Sequence, residues 1–220
     1  MNKAVSIFCK IFVAPLVGTL LIKEIKGREN IPNSNFILAS NHQSYLDIVA
    51  CGYVCVPRVF TFIGQVDKGK GIAGMLRDFF YFLGGVIRLN RKEDNSKKQA
   101  FNEAVEAINS GSSLVIYPEG TRTKTGEIQQ GKWGVAKIFL KTGVPVLPLG
   151  INGAFEMLSP SGKVSLKRMI RLKIGQPIYF KEEFEKAQNM SVESEEYKSL
   201  CISITDRIMD QIKKLVYEKD

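Results

Sequence analysis

Histidine is nearly absent: the 220 residues contain one, with one tryptophan and four cysteines. A lone histidine cannot supply the clustered imidazoles of a zinc site, and Cys9, Cys51, Cys55 and Cys201 are too scattered to complete one. Only Cys51 and Cys55 stand close, at helical spacing, where they read as core or interface hydrophobes. A chain this long buries a core without disulfide staples, so a reducing, cytoplasmic setting is expected, with no metal and no bound cofactor. Internal repeats and low-complexity linkers are missing, so one domain of ordinary size with a short appendage is expected. RNP-type strands and zinc fingers are missing as well. Lys and Arg number 31 against 22 acids, a net charge of +9. That surface is expected to attract anionic lipid and phosphorylated metabolites, with no nucleic-acid partner.

Long apolar runs are equally scarce, and the one present covers residues 4–22. It is interrupted by Ser6, Lys10, Pro15, Gly18 and Thr19 and followed by Lys23, Lys26 and Arg28. Length alone would let it span a bilayer, but Lys10 and the break expected at Pro15 divide it into pieces too short to cross. No small-x-small signal cleavage site follows. Residues 1–26 are therefore expected to form a membrane-associating segment, two short helical pieces in one leaflet with basic residues at the headgroups. The alternative is a helix packed on the domain's own core. Residues 27–220 would form the catalytic domain, placed at the cytoplasmic face of a membrane.

After this segment, short β-rich runs alternate with helical patterns, which predicts an α/β fold with a mixed sheet flanked by helices. Strands are expected at residues 36–39, 59–63, 85–89, 113–117, 144–149 and 171–174. Ala100, Ala104, Val105 and Ile108 mark a helix capped near Asn95 or Ser96 and closed by Gly111. A second is expected from Lys132 to Thr142, stopped by Gly143. Tyr197, Leu200, Cys201, Ile204, Ile208, Ile212 and Leu215 form the apolar stripe of a C-terminal helix.

The single histidine sits in Asn41-His42-Gln43-Ser44-Tyr45-Leu46-Asp47. Imidazole can take a proton from a hydroxyl near neutral pH, and a carboxylate nearby would fix its tautomer. Residues five apart on one helix diverge by roughly 140°, so His42 and Asp47 can meet only across a turn. Ser44-x-x-Asp47 reads as a capping box that starts a helix near Ser44, leaving His42 in the loop before it. From this heptapeptide alone, Asp47 as a mere cap and His42 as an ordinary loop residue are equally open.

Tyr117-Pro118-Glu119-Gly120-Thr121-Arg122 follows a buried strand, where open α/β sheets place ligand loops. Arg122 offers a planar fork suited to phosphate, and Glu119 could hold it or bind a hydroxyl. Arg91 closes the run 85–91 and is expected at a strand end. Two arginines at strand ends beside a histidine and an acid make a convergent anionic site.

Together these segments resemble the four ordered motifs of the glycerolipid acyltransferase family: Asn41-His42-x4-Asp47, Gly85-x-Ile87-x3-Arg91, Tyr117 to Arg122, and Val144-Pro145-Val146-Leu147-Pro148. The resemblance covers roughly residues 27–153, and Gly131-Lys132-Trp133-Gly134-Val135-Ala136 is similar to bacterial members. It implies transfer of a fatty acyl group from acyl-CoA or acyl-carrier protein to the 2-hydroxyl of lysophosphatidic acid, giving phosphatidic acid at a membrane lipid surface. It further implies His42 as general base, Asp47 as its orienting partner, and Arg91, Glu119, Gly120 and Arg122 as the acceptor site, with Thr121 in support. Tyr117 stands where phenylalanine is usual, and Gly64 to Lys68 lacks the usual Lys-x-Glu-Leu element. Rival readings are an acyltransferase for another lysophospholipid, and a non-catalytic protein that binds anionic lipid.

Overall fold

The computed structural model describes residues 1–65, 84–90, 92–159, 165 and 167–218. Its strands are β1 (Ile22–Lys26), β2 (Ile37–Ser40), β3 (Phe60–Gln65), β4 (Ile87–Leu89), β5 (Ser113–Ile116), β6 (Val146–Asn152) and β7 (Ile170–Ile174). They form one sheet in the order β1-β7-β6-β2-β5-β3-β4. Strands β2 to β6 run parallel, β7 is antiparallel to β6, and β1 is parallel to β7. The sheet is thus mixed, as the pattern of runs predicts.

Strand β2 lies in the middle: Ile37, Leu38 and Ala39 are apolar, and all four of its residues are buried. Leu38 registers with Val115 on one side and Leu147 on the other. Alternation then sorts its side chains. Leu38 joins Cys51, Val54 and Cys55 of helix α3 (Leu46–Cys55) on one face. Ile37 and Ala39 join α4 (Asp94–Asn109), α5 (Gly134–Thr142) and α8 (Glu195–Tyr217) on the other. The chain leaves β2 towards β3 and leaves β5 towards β6, in opposite directions across the sheet. The loops after β2 and β5 therefore open side by side at the carboxyl ends of neighbouring strands, where such sheets form a crevice.

Helix boundaries follow local chemistry. Gly143 ends α5 in the left-handed conformation, φ +67°, and returns its N–H to Phe139 O. Ser194 caps α8 by accepting from the Tyr197 N–H, and Tyr197, Cys201, Ile204, Ile208 and Ile212 are buried. Helix α4 begins at Asp94, slightly earlier than the expected caps, because the Ser96 hydroxyl instead accepts the Asn90 N–H of the incoming loop. Shorter helices, Ala154–Met157 and Lys181–Ala187, follow β6 and β7.

The expected break at Pro15 does not occur. Helix α1 (Lys3–Phe8) widens into a π turn (Cys9–Val13) and continues as α2 (Ala14–Leu20). The Ala14 N–H reaches back five residues to Cys9 O, and Pro15 falls at the start of the next segment, where its missing N–H costs little. One helix of 18 residues results, Lys3–Leu20, and 17% of it is buried. Ala14 and Val17 face the domain, and Ser6 Oγ donates to Arg58 O. Phe8, Ile11, Phe12, Leu16 and Leu20 face outwards. Residues 22–26 then enter the sheet as β1, so the sheet begins inside the 1–26 segment.

Candidate active site

Where β2 ends, Asn41 locks the loop to β6: its amide donates to Ile151 O and accepts from Ile151 N, both at 2.8 Å. This holds His42 in the loop that leaves the carboxyl end of β2. Its Nδ1 lies 2.9 Å from Asp47 Oδ2, across the turn that the five-residue spacing requires. The same oxygen accepts the N–H groups of Gln43 at 2.6 Å and Ser44 at 2.7 Å. One Asp47 oxygen thus both holds the imidazole and receives the N–H groups at the helix start, the two alternatives that the sequence left open. Asp47 is 0% exposed, and its Oδ1 has no partner among the described residues. With Nδ1–H as the third donor to this oxygen, the Nε2 lone pair lies outside the Asp47 contact.

The capping box is half formed. Asp47 reaches back to the Ser44 N–H as expected, but the Ser44 hydroxyl donates to Leu158 O and accepts from Leu46 N. The helix-start N–H groups near Ser44, natural candidates for oxyanion donors, are in part already taken: those of Gln43 and Ser44 point at Asp47.

The loop after β5 supplies the other wall. Tyr117 stacks on the imidazole with ring centroids 3.9 Å apart and planes 10° from parallel. Its hydroxyl donates to Cys51 Sγ at 3.5 Å. Burial pushes both the phenol and the Cys51 thiol well up, so each stays protonated at neutral pH. Glu119 is 2% exposed, and its carboxyl ties two loops together: Oε1 accepts the His42 N–H at 2.7 Å, Oε2 the Gln129 N–H at 2.8 Å. Burial raises its pKa, and those N–H groups pull the other way. Gly120 turns the chain at φ +71°, where a Cβ would stand 3.1 Å from Lys132 Cδ. Thr121 is exposed, and its carbonyl accepts from the Gln129 amide at 3.3 Å. Arg122 lies with Cζ 3.6 Å from the Tyr45 ring centroid.

The fold thus brings His42, Asp47, Glu119, Gly120, Thr121 and Arg122 to two adjacent loops. Arg91 lies outside the described residues. Gln129 and the stacking of Tyr117 have no signature in the sequence; Tyr45 had only a hint, an aromatic between His42 and Asp47.

A sequence profile for the Acyltransferase family matches residues 23–152, which contain both loops. The chain is 30% identical over 177 residues to the chloroplastic 1-acyl-sn-glycerol-3-phosphate acyltransferase of Brassica napus, covering 76% of this chain and 50% of that protein. It is 24% identical over 212 residues to the 1-acyl-sn-glycerol-3-phosphate acyltransferase of Saccharomyces cerevisiae, covering 95% of this chain and 65% of that one. It thus spans about half to two thirds of the length of these relatives. Among solved structures, the 1-acyl-sn-glycerophosphate acyltransferase PlsC of Thermotoga maritima is similar at 25% identity and a TM-score of 0.61, over 99% of this chain and 81% of that chain. By the extent of the profile match, more than half its length, the chain belongs to the acyltransferase family.

Proposed function

We propose that this protein transfers a fatty acyl group from a thioester, acyl-CoA or acyl-carrier protein, to the 2-hydroxyl of 1-acyl-sn-glycerol 3-phosphate, giving phosphatidic acid. The observation that carries this reading is the His42–Asp47 pair at 2.9 Å, with Nδ1 held and Nε2 open. In the proposed reaction Nε2 takes the proton of the acceptor hydroxyl as its oxygen attacks the thioester carbonyl carbon. Collapse of the tetrahedral adduct breaks the carbon–sulfur bond, and the imidazolium returns the proton to the leaving thiolate. Asp47 stabilises the cation between the two steps. A thioester is already activated, so no covalent nucleophile is needed. Cys51 and Cys55 fit that economy: both are buried, and burial pushes the Cys55 thiol up to about 12.

Arg122, with Arg91 by resemblance, would bind the acceptor phosphate, while Gly120 and Thr121 shape the loop that carries it. Glu119 would act on the acceptor through this loop and the His42 backbone. The outward apolar face of Lys3–Leu20 would lie in one leaflet, with Lys23 and Arg28 at the headgroups, putting the crevice beside its amphiphilic substrates on the cytoplasmic side. The relatives named above as acting on 1-acyl-sn-glycerol 3-phosphate support this acceptor.

The test follows radiolabelled acyl transfer to lysophosphatidic acid from each donor in detergent, with the parent and a folded His42→Ala variant. Phosphatidic acid from the parent, and a fall of roughly 10²–10⁴-fold in the variant, is expected. Transfer only to another lysophospholipid would move the acceptor assignment. Vesicle binding with no transfer to any acceptor would leave a lipid-binding protein.

A further inference from the structure

Tyr45 stands between His42 and Asp47 in the chain, at the start of α3, and touches the opposite loop of the site. Its ring lies against the Arg122 guanidinium, Cζ to centroid 3.6 Å. Arg122 has no carboxylate or carbonyl partner among the described residues, and its buried Nη1 has no acceptor there. A buried donor without an acceptor is costly, so an acid beside it would be the ordinary remedy. An acid would also cancel the charge that an anionic headgroup needs. An aromatic face restrains the same plane and leaves the charge intact. Tyr45 is 56% exposed, so core packing does not account for the contact.

We infer that Tyr45 is a positioning residue for the acceptor, a role that rests on the function proposed above. Its ring holds the Arg122 guanidinium flat and uncompensated, ready for the acceptor phosphate. Tyr45 and Asp47 begin the same helix, so the group that binds the phosphate is set against the group that orients the base through one rigid element. The distance from phosphate to reacting hydroxyl would then be measured from α3, and the ring face rather than the phenol oxygen would do this.

The test uses the whole chain in detergent, with Tyr45→Leu and Tyr45→Phe. Tyr45→Leu is expected to raise the KM for lysophosphatidic acid roughly 2- to 30-fold, the range of one cation–π contact, with a smaller effect on kcat. Tyr45→Phe should stay near the parent. Phenylglyoxal labelling of Arg122, read by peptide mass spectrometry, reports the stack without turnover and should accelerate in Tyr45→Leu alone. An unchanged acceptor KM in Tyr45→Leu, or a Phe variant as impaired as Leu, overturns the inference. A parent that makes no phosphatidic acid overturns the acceptor assignment instead; equal labelling of parent and Tyr45→Leu then also sinks the role of Tyr45.

Discussion

The imidazole of His42 lies flat on the ring of Tyr117, 3.9 Å away and within 10° of parallel, while its edge is held by Asp47. Face and edge together leave the ring one orientation. Tyr117→Phe retains the face and loses only the hydrogen bond to Cys51, so kcat should stay within about threefold of the parent. Tyr117→Leu removes the platform, and a misplaced base should lower kcat by about tenfold or more at similar acceptor KM. Steady-state kinetics of the two variants check this.

Asp47 carries three donors on one buried oxygen, so its charge matters to the loop as well as to the base. Asp47→Asn keeps the shape and removes that charge. We expect kcat to fall roughly 10²–10⁴-fold, because a neutral amide stabilises the imidazolium poorly. Stability should fall by about 1.5–3 kcal/mol, the scale of a hydrogen bond to a charged group, measured as a lower urea midpoint.

Glu119 gives the pH dependence. Burial raises its carboxyl above the ordinary value of 4.5, so between that value and its folded pKa the native state holds more of the proton than the unfolded chain. The stabilisation is complete below 4.5 and is lost as pH rises through the folded pKa. Urea midpoints of parent and Glu119→Gln compared upwards from pH 4 should therefore differ by an amount that changes with pH. The variant should also lose kcat, because its amide nitrogen cannot accept the second of the two backbone N–H groups. A constant difference across that range would contradict this assignment.

Phe12 and Leu16 are 59% and 61% exposed on the outward face of the N-terminal helix, which the proposed function sets in one leaflet. Burying each in lipid contributes about 1 kcal/mol or more. Flotation with anionic vesicles should show Phe12→Asp/Leu16→Asp partitioning at least tenfold more weakly than the parent, while transfer to acceptor in detergent persists.

Much of this arrangement was legible in the chain itself. Residues 36–39 and 113–117 are short and apolar and read as buried strands, and β2 and β5 form within one residue of those bounds. The five-residue gap between His42 and Asp47 demanded a turn, because a helix would have set them on diverging faces. The apolar run at residues 4–22 was legible as helix, and its outward face carries Phe8, Ile11, Phe12, Leu16 and Leu20. Other features rest on contacts between distant segments. Pro15 signalled a break, but the π turn before it absorbed the missing N–H, a choice made by backbone geometry rather than residue type. Glu119 read as a partner for Arg122 or for a substrate hydroxyl; only the tertiary structure brings the N–H groups of His42 and Gln129 to its two oxygens. Tyr45 meets Arg122, and Tyr117 meets His42, across 77 and 75 positions respectively, by subtraction of their numbers. Local pattern determined which residues could do the chemistry, since that depends on side-chain type and near neighbours. Tertiary structure decided which of them face one another, since parallel pairing of β2 with β5 is what sets their two loops together.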